Sequence, residues 1–207
     1  MASASQTPTP ADPFADLGPI PEHEFDFHFL GGRPSLDFVA TQGERWRRNF
    51  ERLREPADLG RWAVEAGLLA EPPAVRPTEL AAAQELREAI YRTAKLAGEG
   101  RPAPADVELI NDWAAGPALA PRLAADGAAA ELQPGPAPTP ALLSTLARDA
   151  IDLVTGPFAH RVRECGSDTC ALLFVDTSRP GRRRWCSMEA CGNRAKTKDY
   201  RKRKAAR

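Results

Sequence analysis

The chain has 207 residues, of which 43% are hydrophobic, and its formal net charge is zero. This length is enough for one well-formed core plus a small module. No apolar run approaches the length of a membrane span and no signal-peptide core is visible, so we expect a cytoplasmic protein with no membrane partner.

The net charge conceals an uneven distribution. Residues 158–207 carry 14 Lys and Arg against 5 Asp and Glu, a net charge of +9, which leaves residues 1–157 with −9. An acidic body joined to a basic end is typical of a sensor or scaffold linked to a module that binds a polyanion. The alternative is that the two parts neutralise each other in the fold. We favour the first interpretation because the positive charge is concentrated at one end.

The first quarter of the chain predicts few regular elements. Residues 1–24 mix Ser, Thr, Pro, Ala and Asp, and we expect them to be disordered. Phenylalanines alternate with polar residues over 25–30, which predicts a strand. Residues 36–41 fit either a second strand or the start of a helix. Helical spacing of apolar residues predicts an arginine-rich helix over 42–53, which we expect to be solvated and salt-bridged rather than a second phosphate-binding face.

Four more helices are predicted from apolar periodicity and from capping and stop residues. They cover residues 58–69, 79–97, 104–113 and 141–154. An Asp-Gly pair predicts a β-hairpin over residues 120–132, and a proline-rich linker follows over 134–140. The sequence therefore predicts a helix-rich α+β domain with a few short strands.

The cysteines predict a metal site. All four lie near the C-terminus, in two C-x4-C pairs: Cys165 and Cys170, then Cys186 and Cys191. Zn²⁺ takes four soft or borderline donors at tetrahedral corners, and this spacing lies within that of structural zinc sites. We therefore expect Zn²⁺ as the cofactor. Two disulfides or an iron–sulfur cluster remain less favoured alternatives.

Short elements are predicted around these cysteines. Strands are expected over 160–165, 172–175 and 182–185, with a turn over 176–181. Ser187 is a plausible N-cap for a helix that starts in the second cysteine pair. That helix is strongly basic, and a basic helix anchored by a metal is suited to phosphate contact. The candidate nucleic-acid-binding residues are Arg194, Lys196, Lys198, Arg201, Lys202, Arg203 and Lys204.

Residues 185–196, WCSMEACGNRAK, resemble the CGNR zinc finger, which is named after the residues found here at 191–194. The upstream segment 173–178, LFVDTS, together with Arg184 and the first cysteine pair, is similar to the same family. In such proteins the finger follows an ABATE domain, and residues 31–41, GGRPSLDFVAT, resemble its start. The usual pattern there reads LDFxNT, and this chain has Ala40 in place of the Asn.

The resemblance implies an N-terminal α+β domain over 25–157 and a treble-clef-like zinc finger with four cysteine ligands over 158–207. It implies a transcription regulator with a sensor-like N-terminal domain, which we expect to be a sensor or dimerisation module. The expectation that the regulator binds DNA rests on the metal-anchored basic helix and the uneven charge. A small-molecule effector at that domain and a homodimer are both compatible with this role. An RNA- or protein-interaction zinc module is the alternative. We expect no enzyme, because four cysteine ligands leave no open zinc position and no catalytic constellation is visible.

Overall fold

Helices dominate the part of the chain that the structure describes, residues 18–127 and 130–205 of a computed structural model. The helices are α1 (Pro34–Val39), α2 (Pro56–Glu65), α3 (Pro77–Lys95), α4 (Pro104–Ala115), α5 (Pro138–Thr155) and α6 (Asn193–Ala205). Three antiparallel pairs of short strands accompany them: β1 (Gln42–Gly43) with β2 (Phe50–Glu51), β3 (Ala120–Leu123) with β4 (Ala130–Gln133), and β5 (Val162–Glu164) with β6 (Leu173–Val175). This confirms the predicted α+β class. The hairpin expected from Asp126-Gly127 is β3–β4.

Proline sets the start of each of the first five helices. Pro34, Pro56, Pro77, Pro104 and Pro138 each stand at the first helical position. The fixed φ of proline suits that position, where a backbone N–H would have no partner inside the helix. For this reason α5 begins within the predicted proline-rich linker, three residues before its predicted start.

Helix α3 is central to the N-terminal core, because it contacts α1, α2, α4 and α5. Its buried face includes Leu86 and Ile90, both fully buried. Across the core, the ring centroids of Phe38 on α1 and Trp62 on α2 lie 5.2 Å apart. Burying each large apolar side chain contributes roughly 1.5–3 kcal/mol. These contacts make the N-terminal helices one packed unit.

The C-terminal region shares this core. Leu173 and Val175 of β6 belong to the same buried cluster as the helices, and the backbone N–H of Val175 donates to the Gly31 carbonyl at 2.9 Å. Conversely, Ala40 of the helical region packs among the buried residues around the cysteines. The cysteine-rich region is therefore attached to the helical region by apolar contacts made from both sides.

The helix predicted over 42–53 is wrong, because this segment forms the hairpin β1–β2. Glu44 and Asn49 adopt positive φ values of 40° and 45°, which end any helix. Arg87 of α3 reaches across to the hairpin, and its guanidinium donates to both carboxylate oxygens of Glu51 at 2.7 and 2.8 Å. This ion pair with a distant helix overrides the local apolar spacing. Residues 36–41, which fitted either element, mostly belong to helix α1.

Two predicted strands are also absent from the described residues. Residues 26–30 run without a partner strand, and the segment is held instead by buried Phe27 and by the Nε of Arg52, which donates to the Asp26 carbonyl. Over 182–185 the N–H of Arg183 donates to an Asp176 carboxylate oxygen rather than to a neighbouring strand. Side-chain partners replace a sheet ladder in both places. Of the predicted disordered segment, residues 1–17 lie outside the described residues, and Glu22–Phe25 form a 3-10 turn.

Asp37 makes stability depend on pH. Its carboxylate accepts the Gly31 N–H at 2.7 Å, and burial raises its pKa from 3.8 to about 6. Between about pH 4 and 6 the folded state holds a proton that the unfolded chain releases, so this contribution falls as pH rises. We expect Asp37→Asn to be more stable than wild type by about 1 kcal/mol at pH 7. It should lose the decline between about pH 4 and 6.

Chemical denaturation of both proteins across this pH range tests the expectation. Asp112→Asn, an exposed change of the same kind on α4, is the matched control. A pH profile for Asp37→Asn that superimposes on that of Asp112→Asn and wild type would contradict it.

Candidate zinc centre and nucleic-acid interface

The four cysteines come from four different local structures. Cys165 directly follows β5, and Cys170 lies in the loop that leads to β6. Cys186 ends the next loop, and Cys191 lies in a π-helical turn, Met188–Gly192, that continues into α6. Ser187 caps this turn as predicted, since its hydroxyl accepts the Ala190 N–H at 3.2 Å.

These four thiols converge on one point. Their sulfur atoms all lie within 4.8 Å of one another, and three of the four residues are buried. The Sγ atoms of Cys170 and Cys186 are 3.9 Å apart, and those of Cys186 and Cys191 are 3.6 Å apart. Four sulfurs about 2.3 Å from a tetrahedral Zn²⁺ would lie about 3.8 Å from one another. The same distances are nearly twice an S–S bond of about 2.05 Å, so they do not fit disulfides.

The charge that the cluster would carry also favours a cation at its centre. Sulfurs this close cannot all be thiolates without a compensating positive charge. A Zn²⁺ ion supplies that charge and leaves a centre with a formal charge of −2 when all four sulfurs are deprotonated.

The basic residues predicted to contact nucleic acid all belong to one helix, α6. Arg194, Lys196, Arg201, Arg203 and Lys204 are exposed, and Lys202 lies in the same helix. Lys198 is also exposed and pairs with Asp168 in the loop between the first two cysteines. The structure therefore places the whole predicted set on α6, the helix that directly follows the turn containing Cys191.

Residues 161–204 match the CGNR zinc finger family, and residues 32–157 match the ABATE family, described as "Putative stress-induced transcription regulator". The second match covers more than half of the chain. The chain belongs to the ABATE family. No curated protein matches it at a significant level. Both resemblances seen in the sequence are confirmed, and Zn²⁺ is the cofactor of the CGNR finger. Neither family is one of enzymes.

The Gly of the CGNR motif lies close to two side chains. A Cβ atom on Gly192 would lie 2.7 Å from the sulfur of Met188, an exposed and flexible side chain that can move aside, and 3.3 Å from Cδ1 of Trp185. Trp185 in turn lies under the guanidinium of Arg184, 4.5 Å from the ring centroid. Asn193 of the motif is exposed, with its amide 3.5 Å from the Glu189 carbonyl, while its backbone carbonyl accepts the Thr197 hydroxyl. The motif thus lets α6 begin directly against the indole ring.

The N-terminal ABATE region places a buried arginine beside the CGNR finger. Arg52 is 4% exposed, and its Nη1 donates to the Ala40 carbonyl at 3.0 Å. Burial lowers the pKa of Arg52, and the negative charges of Glu24 and Cys170 oppose this shift. Among the described residues Arg52 forms no ion pair with a carboxylate. A cation in this position helps to offset the thiolate centre.

A cavity of about 100 Å³ lies at the junction of the two regions. Arg52 lines it from the ABATE region, and Glu24 and His28 line it from the segment before that region. Cys170, Cys186, Cys191 and Arg194 line it from the finger. Burial lowers the pKa of His28, and Arg52 and Arg194 add to this effect. The CGNR arginine therefore lies within electrostatic reach of His28, which precedes the ABATE match.

Two structural residues were missed at the sequence level. The sequence places Arg52 in a predicted solvated helix, and no local signal relates it to cysteines more than a hundred residues away. Asp176, in the LFVDTS segment, is fully buried and accepts the hydroxyl of Ser178 at 2.6 Å. Despite the opposing effect of burial, hydrogen bonds from Ser178 and from the Arg183 N–H lower the pKa of Asp176. An Asp in an apolar run was the available signal.

Proposed function

We propose that this protein is a cytoplasmic, non-enzymatic transcription regulator that binds DNA through its CGNR finger. In this proposal Cys165, Cys170, Cys186 and Cys191 hold one structural Zn²⁺. The basic helix then contacts the phosphate backbone through Arg194, Lys196, Lys198, Arg201, Lys202, Arg203 and Lys204. The zinc contributes structure rather than chemistry, because four thiolates leave no position for a substrate.

The observation that supports this proposal most strongly is that all described side chains of α6 except one are exposed. Apart from half-buried Ala195, each residue whose side chain the structure describes in this 13-residue helix is exposed. A helix of this length with no buried face is marginal in water. Its like charges repel one another, and a polyanion would remove that repulsion. Such a helix is therefore suited to become stable on DNA.

We assign the N-terminal domain, over residues 25–157, the role of sensor or dimerisation module. The cavity beside Arg52 is also lined by Cys170, Cys186 and Cys191, so bound zinc would occupy part of it. A small effector in the remainder would touch both the ABATE region and Arg194 at the start of α6. The hairpin β3–β4, mostly exposed, leaves its outer strand edges free among the described residues, which suits a dimer contact. No helix in the described ranges has the length and apolar character needed to cross a membrane.

An RNA- or protein-binding role is the alternative, and exposed Tyr200 on α6 favours RNA. It is 61% exposed and could stack on an unpaired base. Preference for single-stranded RNA over duplex DNA at the same salt would support this alternative against ours.

The test is duplex-DNA binding as a function of salt. If about five phosphates are neutralised, the log–log slope of affinity against salt should be roughly −4.5. We expect Arg201→Gln/Arg203→Gln to make this slope shallower by about 1.8, because two phosphate contacts are lost. Fluorescence anisotropy with a labelled duplex measures the slope.

The matched control is Arg54→Gln/Arg101→Gln, which removes two exposed arginines from the N-terminal region. It should leave the slope unchanged. No salt-dependent affinity for duplex DNA in the zinc-loaded wild type would refute the proposal.

A further inference from the structure

Four arginines lie close together in the loop that precedes the second cysteine pair. We call residues 179–184 the arginine loop; it contains Arg179, Arg182, Arg183 and Arg184, all exposed. None of them is on α6, and none is among the residues assigned above to DNA contact. The loop is a second concentration of positive charge on the finger.

The arginine loop is held in a fixed shape by buried polar groups. The fully buried Asp176 carboxylate accepts the backbone N–H of Ser178 at 3.0 Å and that of Arg183 at 2.8 Å. Nη1 of Arg161 also donates to the Ser178 carbonyl, just before the loop, at 2.9 Å. Hydrogen bonds to charged groups stabilise by about 1.5–3 kcal/mol each. The loop is therefore organised before any partner arrives.

One of the four arginines is used inside the finger. The guanidinium of Arg183 lies 4.6 Å from the centroid of the Phe174 ring and donates to the carbonyls of Trp185 and Cys186. The other three have no such set of contacts. Arg184 stacks on Trp185, while the side chains of Arg179 and Arg182 form no hydrogen bond or ion pair with described residues.

In the N-terminal region many arginines have a counter-charge, although Arg52, Arg54, Arg101, Arg122 and Arg148 pair with no described carboxylate. There Arg33, Arg45, Arg48, Arg61, Arg76, Arg87 and Arg92 each pair with a carboxylate. In the arginine loop none of the arginines lies within ion-pair distance of a described carboxylate. Unpaired guanidinium groups on a rigid loop are suited to bidentate contact with phosphate.

The arginine loop also adjoins the basic helix. The guanidinium of Arg184 stacks on the Trp185 ring. The same ring lies close to Gly192, the residue before α6. A polyanion that lies along the start of α6 therefore passes close to Arg184 and the loop that contains it.

We propose that Arg179, Arg182 and Arg184 form a second phosphate-contacting surface, which binds the same DNA duplex as α6. The inference rests on the proposed function. It adds that the duplex backbone is contacted by two separate elements, the arginine loop and α6, which both adjoin Trp185. The contacts are electrostatic and independent of base sequence.

The experiment compares wild type, Arg179→Gln/Arg182→Gln, Arg201→Gln/Arg203→Gln and Arg54→Gln/Arg101→Gln on one labelled duplex of arbitrary sequence. Zinc content and thermal unfolding are measured first to confirm that each variant is folded. We expect the loop variant to make the log–log salt slope shallower by about 1.8, as the α6 variant does, with the N-terminal variant unchanged.

The outcomes separate the two proposals. If the loop variant matches the N-terminal control while the α6 variant loses slope, the inference is wrong and the proposed function stands. If wild type shows no salt-dependent binding to duplex, both are wrong. Equal losses in the loop and α6 variants, with zinc content preserved in each, support the inference.

Discussion

Replacing Cys186 with Ser should abolish stoichiometric zinc binding and DNA binding together, and should lower the stability of the whole chain. Cys186 is 2% exposed, and its sulfur lies between those of Cys170 and Cys191. Loss of one thiolate leaves three soft donors where a structural site needs four. Because α6 starts from the turn that holds Cys191, its orientation depends on the same metal.

The loss of stability should extend into the N-terminal core. If free zinc exceeds its dissociation constant about 1,000-fold, binding stabilises the native state by about 4 kcal/mol. For a chain of this size that corresponds to a fall in Tm of about 10 °C when zinc is removed. Since Leu173 and Val175 pack in the same cluster as Trp62, we expect one transition rather than two.

Calorimetry and near-ultraviolet circular dichroism, before and after chelation, measure this effect. Met188→Leu, an exposed change in the same turn, is the control and should keep both zinc and Tm. The prediction is contradicted if Cys186→Ser retains one zinc per chain. A tryptophan signal whose midpoint does not move on chelation would show instead that the two regions unfold independently.

The zinc centre could be predicted from sequence because its signal is local. Two cysteine pairs with no cysteine left over specify the donors, and Ser187 specifies the cap of the turn that carries Cys191. The long helices were predictable for a similar reason, since the apolar stripe of α3 repeats with the helical period. In these places short-range pattern and final structure agree.

The region between α1 and α2 could not be predicted, because distant partners decide its conformation. Its apolar residues have helical spacing, yet Trp46 is 41% exposed and Phe50 is buried. The hairpin forms because Arg87 pairs with Glu51, and Arg45 with Glu88 on α3. No sequence pattern within the segment indicates these partners on α3. Tertiary ion pairs of buried arginines therefore override local periodicity in this segment.

The same distant contacts explain how Ala40 fits its position. The usual ABATE pattern has Asn there, whereas here Ala40 is 7% exposed and packs with Cys165, Phe174 and Cys186. An apolar methyl group suits a place inside the core of the finger. Its carbonyl remains polar, and Arg52 satisfies it. The ABATE region thus supplies both an apolar contact and a cation to the finger.

Arg52→Met is expected to weaken zinc binding by about 10- to 100-fold, which is the usual cost of losing a residue that supports metal ligands. The guanidinium is buried, has no described carboxylate partner and shares a cavity with Cys170, Cys186 and Cys191. Removing it leaves a centre of formal charge −2 with one fewer buried cation. It also leaves the carbonyls of Asp26 and Ala40 without this donor, at about 1–3 kcal/mol each.

Two measurements separate these effects. Competition with a chromophoric chelator gives the zinc affinity, and denaturant unfolding of the zinc-free protein gives the stability of the hairpin contacts alone. Arg52→Lys keeps the positive charge but lacks the planar guanidinium with its several N–H donors. Compared with Arg52→Met, it should recover part of the zinc affinity and little of the stability of the zinc-free protein.

Arg54→Met is the matched control, because Arg54 lies two residues away, is exposed and stacks on Phe25 at 4.6 Å rather than facing the cysteines. It should leave zinc affinity unchanged. If Arg52→Met loses apo stability but binds zinc within about twofold of Arg54→Met, Arg52 only ties the hairpin together. If its zinc affinity falls and Arg52→Lys restores part of it, the charge of an N-terminal residue sets the metal affinity of the C-terminal finger.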